Sequence, residues 1–192
     1  MDDTAQTGEA PTAQFALDEQ QTAIRDMALA FARDEIGPHA ARWDEEKHFP
    51  VEVFRAAAGL GMASIYVRAD HGGSGLSRLD AALIFEALAT GCPSSAAYLS
   101  IHNMVAGMID RFGNDAQRKQ WLPPLIDASL LSSYCLTEPS CGSDAAALRS
   151  SARKDGGDYI LNGVKQFISG AGATDLYLVM ARTGASGPSG IS

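Results

Sequence analysis

The segment formed by residues 134–144, YCLTEPSCGSD, has the residue types and spacing best suited to holding a ligand. A predicted strand brings Thr137 to an abrupt turn at Pro139. Beyond the turn, Gly142 lets the backbone approach a ligand closely, and Ser143 offers an N–H and a hydroxyl. Such neutral donors form a cradle for an anion. By itself, the pattern fits a polar strand-to-loop turn without a ligand equally well.

A second segment, residues 165–172 with the sequence KQFISGAG, places an aromatic residue near a hydroxyl at a predicted strand end. Phe167 has the shape to lie against a flat heterocycle while Ser169 hydrogen-bonds its edge. Taken alone, this segment fits a core phenylalanine followed by a Gly-rich turn better than it fits a ligand site.

The composition is that of an ordinary globular protein, with 192 residues, of which 46% are hydrophobic and 20% charged. The formal net charge is -8 and the pI is near 4.9. The chain therefore lacks the positive surface that nucleic-acid binding requires, and an anionic ligand must be held by local donors. No apolar stretch is long enough to span a bilayer, so no membrane insertion is predicted.

The three cysteines, Cys92, Cys135 and Cys141, are too few and too scattered for a disulfide framework. They predict free thiols in a reducing compartment. Cys135 and Cys141 have no nearby histidine in the sequence and lack metal-ligand spacing, so no metal site is predicted.

The first 13 residues carry three acidic side chains and neither Lys nor Arg. A mitochondrial transit peptide is Arg-rich, and a secretory signal needs a basic start and an apolar run. We therefore expect a cytoplasmic protein of bacterial type whose residues 1–13 are disordered.

Helical periodicity dominates the chain up to the Pro123-Pro124 pair, which is expected to end the last helix. Gly37-Pro38 is expected to break the first helix, and the apolar residues 62–67 are expected to be extended. The predicted helices begin at Asp18, which forms a capping pair with Gln21, and then cover residues 39–45, 51–60, 77–89, 93–112 and 115–121.

Beyond Pro124 the pattern is that of strands. A sheet of this size needs a partner layer, and Ile191 resembles the start of a further strand, so the sequence predicts a piece of a longer polypeptide. The predicted fold is α+β, with an all-helical bundle domain at residues 14–130 and the first part of an antiparallel β-domain at 131–192. The predicted strands are residues 131–137, 147–153, 158–161, 164–168 and 176–181, with a hairpin turn at 154–157.

The two ligand-binding segments together, in this order, resemble the two flavin-binding signatures of the acyl-CoA dehydrogenase family. The loop at residues 71–75, HGGSG, is similar to a Tyr-Gly-Gly-x-Gly loop of that family, with His71 in place of the aromatic residue. The resemblance covers residues 15–192 and implies a helical domain, then a β-domain, and a C-terminal helical domain that this sequence lacks.

Longer runs resemble one branch of the family, the isobutyryl-CoA dehydrogenases of valine catabolism. These runs are residues 73–80, 84–92, 100–104 and 167–172. The resemblance implies α,β-dehydrogenation of a short branched acyl-CoA. A carboxylate removes the α-proton, and the β-carbon passes a hydride to flavin N5.

The resemblance also implies which residues contact FAD. Thr137 would hydrogen-bond the pyrimidine side of the flavin ring, and Ser143 would serve both the FAD pyrophosphate and the pantetheine arm of the substrate. Phe167 and Ser169 stand where many relatives have Trp and Thr, and Ser140 stands where many have Gly, a replacement that could strain the turn. The full predicted set is Tyr134, Cys135, Leu136, Thr137, Gly142, Ser143, Phe167, Ile168 and Ser169.

For the substrate, the resemblance implies contacts from Ser143 and from the long helix at residues 93–112. The candidates on that helix are Ala97, Tyr98, Ser100 and Ile101. The family's catalytic base is a Glu of the C-terminal domain, so no catalytic residue is expected here. Glu138, which precedes Pro139, is expected to have a structural role.

The implied partners are an acyl-CoA substrate, an electron-transfer flavoprotein as acceptor, and further copies of the chain in a homotetramer built chiefly through the C-terminal domain. Three alternatives remain open from the sequence. One is an oxidase-like relative that passes electrons to oxygen, and another is a non-catalytic fragment that binds FAD or acyl-CoA. The third, a helical interaction domain with an unrelated β-appendage, leaves the two ordered signatures unexplained.

Overall fold

The computed structural model describes residues 16–192, so the expected disorder of residues 1–13 and the start of the predicted helical domain lie outside the described residues. Within them, six α-helices precede four short strands. The helices are α1 (Glu19–Phe31), α2 (Gly37–Glu46), α3 (Val51–Gly59), α4 (Arg78–Ala89), α5 (Pro93–Phe112) and α6 (Asp115–Ile126). The strands are β1 (Ser132–Cys135), β2 (Ser151–Asp155), β3 (Asp158–Asn162) and β4 (Leu176–Val179).

Side-chain caps set the starts of three helices, as predicted. Asp18 accepts a hydrogen bond from the Gln21 N–H, and the Gln21 side chain accepts one from the Asp18 N–H. Ser77 and Asn114 form equivalent reciprocal pairs at the starts of α4 and α6. Each pair satisfies two N–H groups, one of them a donor that the helix start leaves without a partner.

Gly37 and Pro38 do not break the first helix, contrary to the prediction. A π-helical turn, Ala32–Ile36, joins α1 to α2, and the Gly37 N–H donates to the Ala32 carbonyl. Pro38 therefore lies in the first turn of α2, where its missing N–H costs little. The wider π turn admits a proline that would disrupt the interior of an α-helix.

Helix α6 also extends further than predicted, because it contains both prolines and ends at Ile126. Leu122 and Leu125 in this last part of α6 are buried. Burial of this apolar face outweighs the hydrogen bonds that Pro123 and Pro124 cannot donate.

The long helix α5 is the centre of the helical core and supplies hydrogen bonds to the loop beside it. The fully buried Asn103 accepts from the Ile65 N–H at 2.7 Å and donates to the Met62 carbonyl at 2.7 Å. Residues 62–67 consequently form a series of turns instead of the predicted extended segment. A buried loop without a strand partner must satisfy its backbone groups in some other way, and here a side chain does so.

The strands form two pairs of opposite kind. Strands β2 and β3 form the predicted antiparallel hairpin, whereas β1 and β4 pair in parallel, with Ser132 opposite Leu176. The α+β architecture is thus confirmed, but the parallel pairing of β1 with β4 differs from the antiparallel arrangement that was expected. A parallel pair needs a long crossover, and residues 136–175, which contain the hairpin, provide it. The predicted strand at 164–168 is instead irregular chain.

Across residues 16–192, no helix combines the length and apolar character needed to cross a membrane. In the same part of the chain, no three His, Cys, Asp or Glu side chains are grouped as a metal site. The described cysteines are all free thiols.

Candidate functional site

The two predicted ligand-binding segments lie side by side, although Glu138 and Lys165 are 27 positions apart in the chain. The Gln166 N–H donates to the Thr137 carbonyl at 2.8 Å. The Lys165 ammonium donates to the Leu136 carbonyl at 3.0 Å. These two hydrogen bonds place the segment that carries Phe167 against the end of β1.

A buried ion pair joins the same two segments. One Glu138 oxygen accepts from the Lys165 ammonium at 2.9 Å and from the Ser150 N–H at 2.8 Å, and the other accepts from the Arg149 N–H at 2.7 Å. Burial by itself would raise the pKa of Glu138, but the hydrogen bonds from Lys165, Ser150 and Arg149 outweigh it and lower the pKa to about 2. Glu138 is therefore anionic and enclosed by donors, which agrees with the structural role expected for it.

The turn that follows Glu138 is tight, and the residues after it are accessible to solvent. Glu138 and Cys141 exchange two backbone hydrogen bonds of 2.9 and 3.1 Å, while Gly142 and Ser143 are exposed. A side chain at Gly142 would meet only Thr137, at 3.9 Å. The surrounding chain therefore does not require glycine there, and the close approach of a ligand at Gly142 stays a prediction. Ser140 is exposed and does not have a left-handed backbone, so the suggested strain is absent.

Phe167 is the most unusual residue of the site. Its side chain is 83% exposed, and its φ of 58° lies in the left-handed region that few residues other than glycine adopt. The alternative of a core phenylalanine is therefore wrong. An exposed aromatic ring on a strained backbone is typical of a binding surface, where local strain is retained for function.

Hydrogen bonds from β1 also hold the segment beyond Phe167. The Ser133 hydroxyl donates to the Ser169 carbonyl at 2.7 Å and lies 2.7 Å from the Thr174 hydroxyl. Gly170 has a φ of 79°, and a Cβ there would lie 2.8 Å from the Tyr98 ring. Helix α5 thus contacts the second segment directly, and only glycine fits at the contact.

The substrate candidates on α5 differ in their exposure. Ala97 is exposed, and Ser100 and Ile101 are half-buried. Tyr98 is buried, its ring centroid lies 4.5 Å from that of Phe54, and its hydroxyl donates to the Ser132 carbonyl at 3.3 Å. Burial raises the pKa of Tyr98 far above its ordinary value, so the hydroxyl stays protonated. Tyr98 supports the site from within the core, whereas the other three line the outer face of the helix.

A cavity of about 600 Å³ lies beside this contact between α5 and the second segment. Tyr98, Ser169 and Gly170 line one side of it, and Phe49 and His48 from the α2–α3 connection line another. Its mixed apolar and polar wall has the character of a small-molecule site.

Both ligand-binding segments were predicted from the sequence. The contacts that three residues make to hold these segments in place were not. Lys165, Ser133 and Gly170 each act on a partner far away in the chain. A signal was present for Lys165, because it is the one charged residue of the second segment and the first segment carries Glu138 as a candidate partner. Sequence offers no comparable signal for Ser133 or Gly170.

Two family models match the chain. The acyl-CoA dehydrogenase N-terminal domain matches residues 18–129, and the acyl-CoA dehydrogenase middle domain matches residues 133–192. Together they cover both the helices and the strands described above.

Individual proteins that are similar to the chain are also acyl-CoA dehydrogenases. The chain is 55% identical over 183 residues to a mitochondrial isobutyryl-CoA dehydrogenase of Dictyostelium discoideum and 54% identical over 178 residues to that of Bos taurus. These matches cover 95% and 93% of this chain but only 44% and 43% of the relatives. A glutaryl-CoA dehydrogenase of Mycobacterium smegmatis, solved with FADH2, superposes with a TM-score of 0.82 at 28% identity, covering 87% of this chain and 43% of that one.

These relatives contradict the expected cytoplasmic location, because both isobutyryl-CoA dehydrogenases are named as mitochondrial. The expectation used the composition of residues 1–13. Targeting segments are separate from the folded part of a protein, and a flavin site has the same physical requirements in either compartment. The folded residues therefore carry no information about location.

Proposed function

The chain belongs to the acyl-CoA dehydrogenase family, an oxidoreductase family, and we propose on this basis that it forms the FAD-binding and part of the acyl-CoA-binding region of such an enzyme. The observation that carries the proposal is the junction of Thr137 and Gln166, which brings the two flavin-type segments into one surface. The chain spans less than half the length of the curated relatives that it matches. Activity, substrate and partners are therefore proposed for the whole protein.

The residues present fit FAD by their chemistry. A flavin is flat and aromatic, and the exposed ring of Phe167 offers a matching face. The FAD pyrophosphate is anionic, and the exposed N–H and hydroxyl of Ser143 are neutral donors. The nearby carboxylate of Glu138 would repel an anion, but Lys165 neutralises it.

When bound, FAD accepts the hydride that leaves the β-carbon of the substrate. The chain's own residues would bind and orient it. We assign contacts with the ring to Thr137, Phe167 and Ser169, and a shared contact with pyrophosphate and substrate to Ser143. The remaining members of the proposed cofactor surface are Tyr134, Cys135, Leu136, Gly142 and Ile168.

For the acyl group, we assign the outer face of α5, with Ala97, Ser100 and Ile101 as its contacts and Tyr98 as the support beneath them. The half-buried and exposed positions of this face leave room for a ligand. Glu138 cannot serve as the catalytic base, because three donors enclose its carboxylate. We assign the base to the part of the protein that corresponds to the relatives' remaining length.

The proposed substrate is a short branched acyl-CoA, with isobutyryl-CoA as the first to test. This choice rests on the 55% and 54% identity to isobutyryl-CoA dehydrogenases. An electron-transfer flavoprotein as electron acceptor, a homotetrameric assembly, and a division into domains at residues 14–130 and 131–192 complete the proposal.

The test is the absorbance spectrum of the purified full-length protein, before and after anaerobic addition of isobutyryl-CoA. We expect flavin bands that bleach with this substrate and bleach less with straight-chain acyl-CoAs. Bands that do not bleach would overturn the substrate but keep the cofactor. Absence of flavin after adding FAD would overturn the proposal, and peroxide formed during turnover would identify an oxidase-like enzyme instead.

A further inference from the structure

The Glu138–Lys165 pair is buried more deeply than any other ion pair among the described residues, with side-chain exposures of 4% and 12%. Exposed ion pairs contribute little to stability, whereas a buried pair has to be fully hydrogen-bonded to offset its loss of hydration. Here the carboxylate has three donors and the ammonium has two acceptors. Both carboxylate oxygens are thus hydrogen-bonded and two of the three ammonium N–H groups have acceptors, so the geometry of the pair is narrowly defined.

The contacts of the pair converge on the backbone next to the proposed flavin contacts. Lys165 holds the Leu136 carbonyl, and the next residue, Gln166, holds the Thr137 carbonyl. Phe167 follows at once, with its left-handed backbone. Behind Phe167, the Ser169 carbonyl is held by Ser133.

Hydrogen bonds therefore fix the backbone before and after Phe167, while its own ring makes little contact with the protein. A left-handed conformation is unfavourable for a residue with a side chain. An exposed ring gains too little packing to offset this cost, so the conformation persists only because its neighbours impose it. Hydrogen bonds on both flanks of Phe167 meet that requirement.

We propose that Glu138 and Lys165 are positioning residues that hold the left-handed backbone of Phe167, and so set the ring and Ser169 at a fixed place relative to Thr137 for the flavin. The proposal rests on the proposed function. It assigns to the pair a role in shaping the bound flavin's environment, beyond its contribution to folding.

The test uses the full-length protein with Lys165→Met, which keeps an unbranched apolar chain in place of the lysine stem and removes the ammonium. The matched control is Lys154→Met, on an exposed lysine of the β2–β3 hairpin. In flavin-free protein, we expect backbone hydrogen exchange of residues 164–170 to be at least tenfold faster in Lys165→Met than in the control. With FAD, we expect at least tenfold weaker binding.

A spectroscopic measurement separates positioning from folding. At saturating FAD, the visible bands of the bound flavin are expected to shift toward those of free flavin in Lys165→Met, but not in Lys154→Met. A second variant, Glu138→Gln/Lys165→Met, has no unpaired buried charge, so we expect unfolding stability to recover while the shifted bands remain.

Unchanged exchange, affinity and bands in Lys165→Met would overturn the inference. Recovery of the wild-type bands in the double variant would overturn it as well, because the effect would then come from the unpaired charge. If the wild-type protein itself binds no FAD, the proposed function falls. Faster exchange in Lys165→Met would then show that the pair orders residues 164–170 for a reason other than flavin binding.

Discussion

The helical part, α1–α6, and the strand part, β1–β4 with its connections, are held together in different ways. The helical part has a large apolar core cluster that includes the fully buried Phe54, Ile36 and Met62. In the strand part, large apolar side chains such as Tyr159 and Leu161 are more than half exposed. The contacts that hold the strand part in place are polar, namely the Glu138–Lys165 pair and the hydrogen bond of the Ser133 hydroxyl.

The two parts are suited to different roles, the helical part to support and the strand part to ligand binding. A packed core gives rigidity but offers no surface to a ligand, whereas a segment held by a few hydrogen bonds can present its backbone, hydroxyls and rings outward. Tyr98 connects the two, because it belongs to the aromatic core and also limits the space at Gly170. The predictions below test how independent the two parts are.

The largest effect is expected from Phe54→Ala. This ring is 1% exposed and packs against Phe49 and Tyr98, so its removal should lower the free energy of unfolding by about 3–5 kcal/mol. The control is Phe112→Ala, at a ring that is 72% exposed and should cost less than about 0.5 kcal/mol. Urea unfolding measures both, and equal losses would contradict the assignment of the core.

Acid should next weaken the link between the two parts through His102. Its Nε2–H donates to the Leu125 carbonyl at 2.8 Å, and its Nδ1 accepts from the Ser132 N–H at 3.3 Å, so the neutral ring joins α5, α6 and β1. Burial lowers the pKa of His102 below its ordinary 6.5. The unfolded chain then binds the proton more readily, and stability should fall as the pH drops below 6.5.

Urea unfolding between pH 8 and 5, set to span the ordinary histidine range of about 6.5, checks this expectation. The variant His102→Gln should be less stable at neutral pH but should lose this part of the acid dependence. His39→Gln, at an exposed histidine, should behave like the wild type. A wild-type slope retained in His102→Gln would remove His102 as the cause.

A second, more acidic step is expected from the strand part. The pKa of Glu138 is lowered from 4.5 to about 2, so its contribution to stability is complete above pH 4.5 and is lost as the pH falls toward 2. Hydrogen exchange of residues 164–170 should speed up over this range, in addition to the earlier loss from His102. In Glu138→Gln, exchange of residues 164–170 should already be faster at neutral pH and should not increase further between pH 4.5 and 2. An increase over that range in this variant would refute the assignment to Glu138.

The smallest effect is expected from relieving the strain at Phe167. Phe167→Gly removes the ring and the strain together, whereas Phe167→Ala removes the ring alone. Because glycine adopts a φ of 58° freely, the Gly variant should be more stable than the Ala variant by about 1 kcal/mol. Thermal unfolding of the pair measures the difference, and a more stable Ala variant would show that the left-handed backbone is not under strain.

Local sequence signals predicted local structure well. The capping residues Asp18, Ser77 and Asn114 act within one helical turn, and all three were identified correctly. The prolines at 38 and 123 misled the prediction because a π turn admits the first and the burial of Leu122 and Leu125 outweighs the second. Neither the π turn nor the burial of these leucines in the folded protein can be read from the local sequence around the proline.

The candidate site shows the same limit. The two segments were predicted from their residue types, but their junction depends on contacts between residues far apart in the sequence, such as Ser133 with Ser169 and Glu138 with Lys165. The exposure of Phe167 also could not be predicted, because an aromatic residue beside glycines is compatible with either a core or a surface position. The parallel register of β1 and β4 depends on a crossover whose path is not encoded locally.

That parallel register has a consequence for the order in which the chain folds. β1 opens with Ser132, whose partner Leu176 is synthesised only after both flavin-type segments. The hydrogen bonds within each helix are local and can form early, whereas a parallel pairing across so long a loop must first overcome the entropy of closing it. During synthesis, the helices can therefore be complete while the strand that carries the first segment still has an unpaired edge. The two segments proposed to bind the ligand therefore cannot reach their final pairing before β4 is made, and they are exposed to misassembly if translation stalls before that strand.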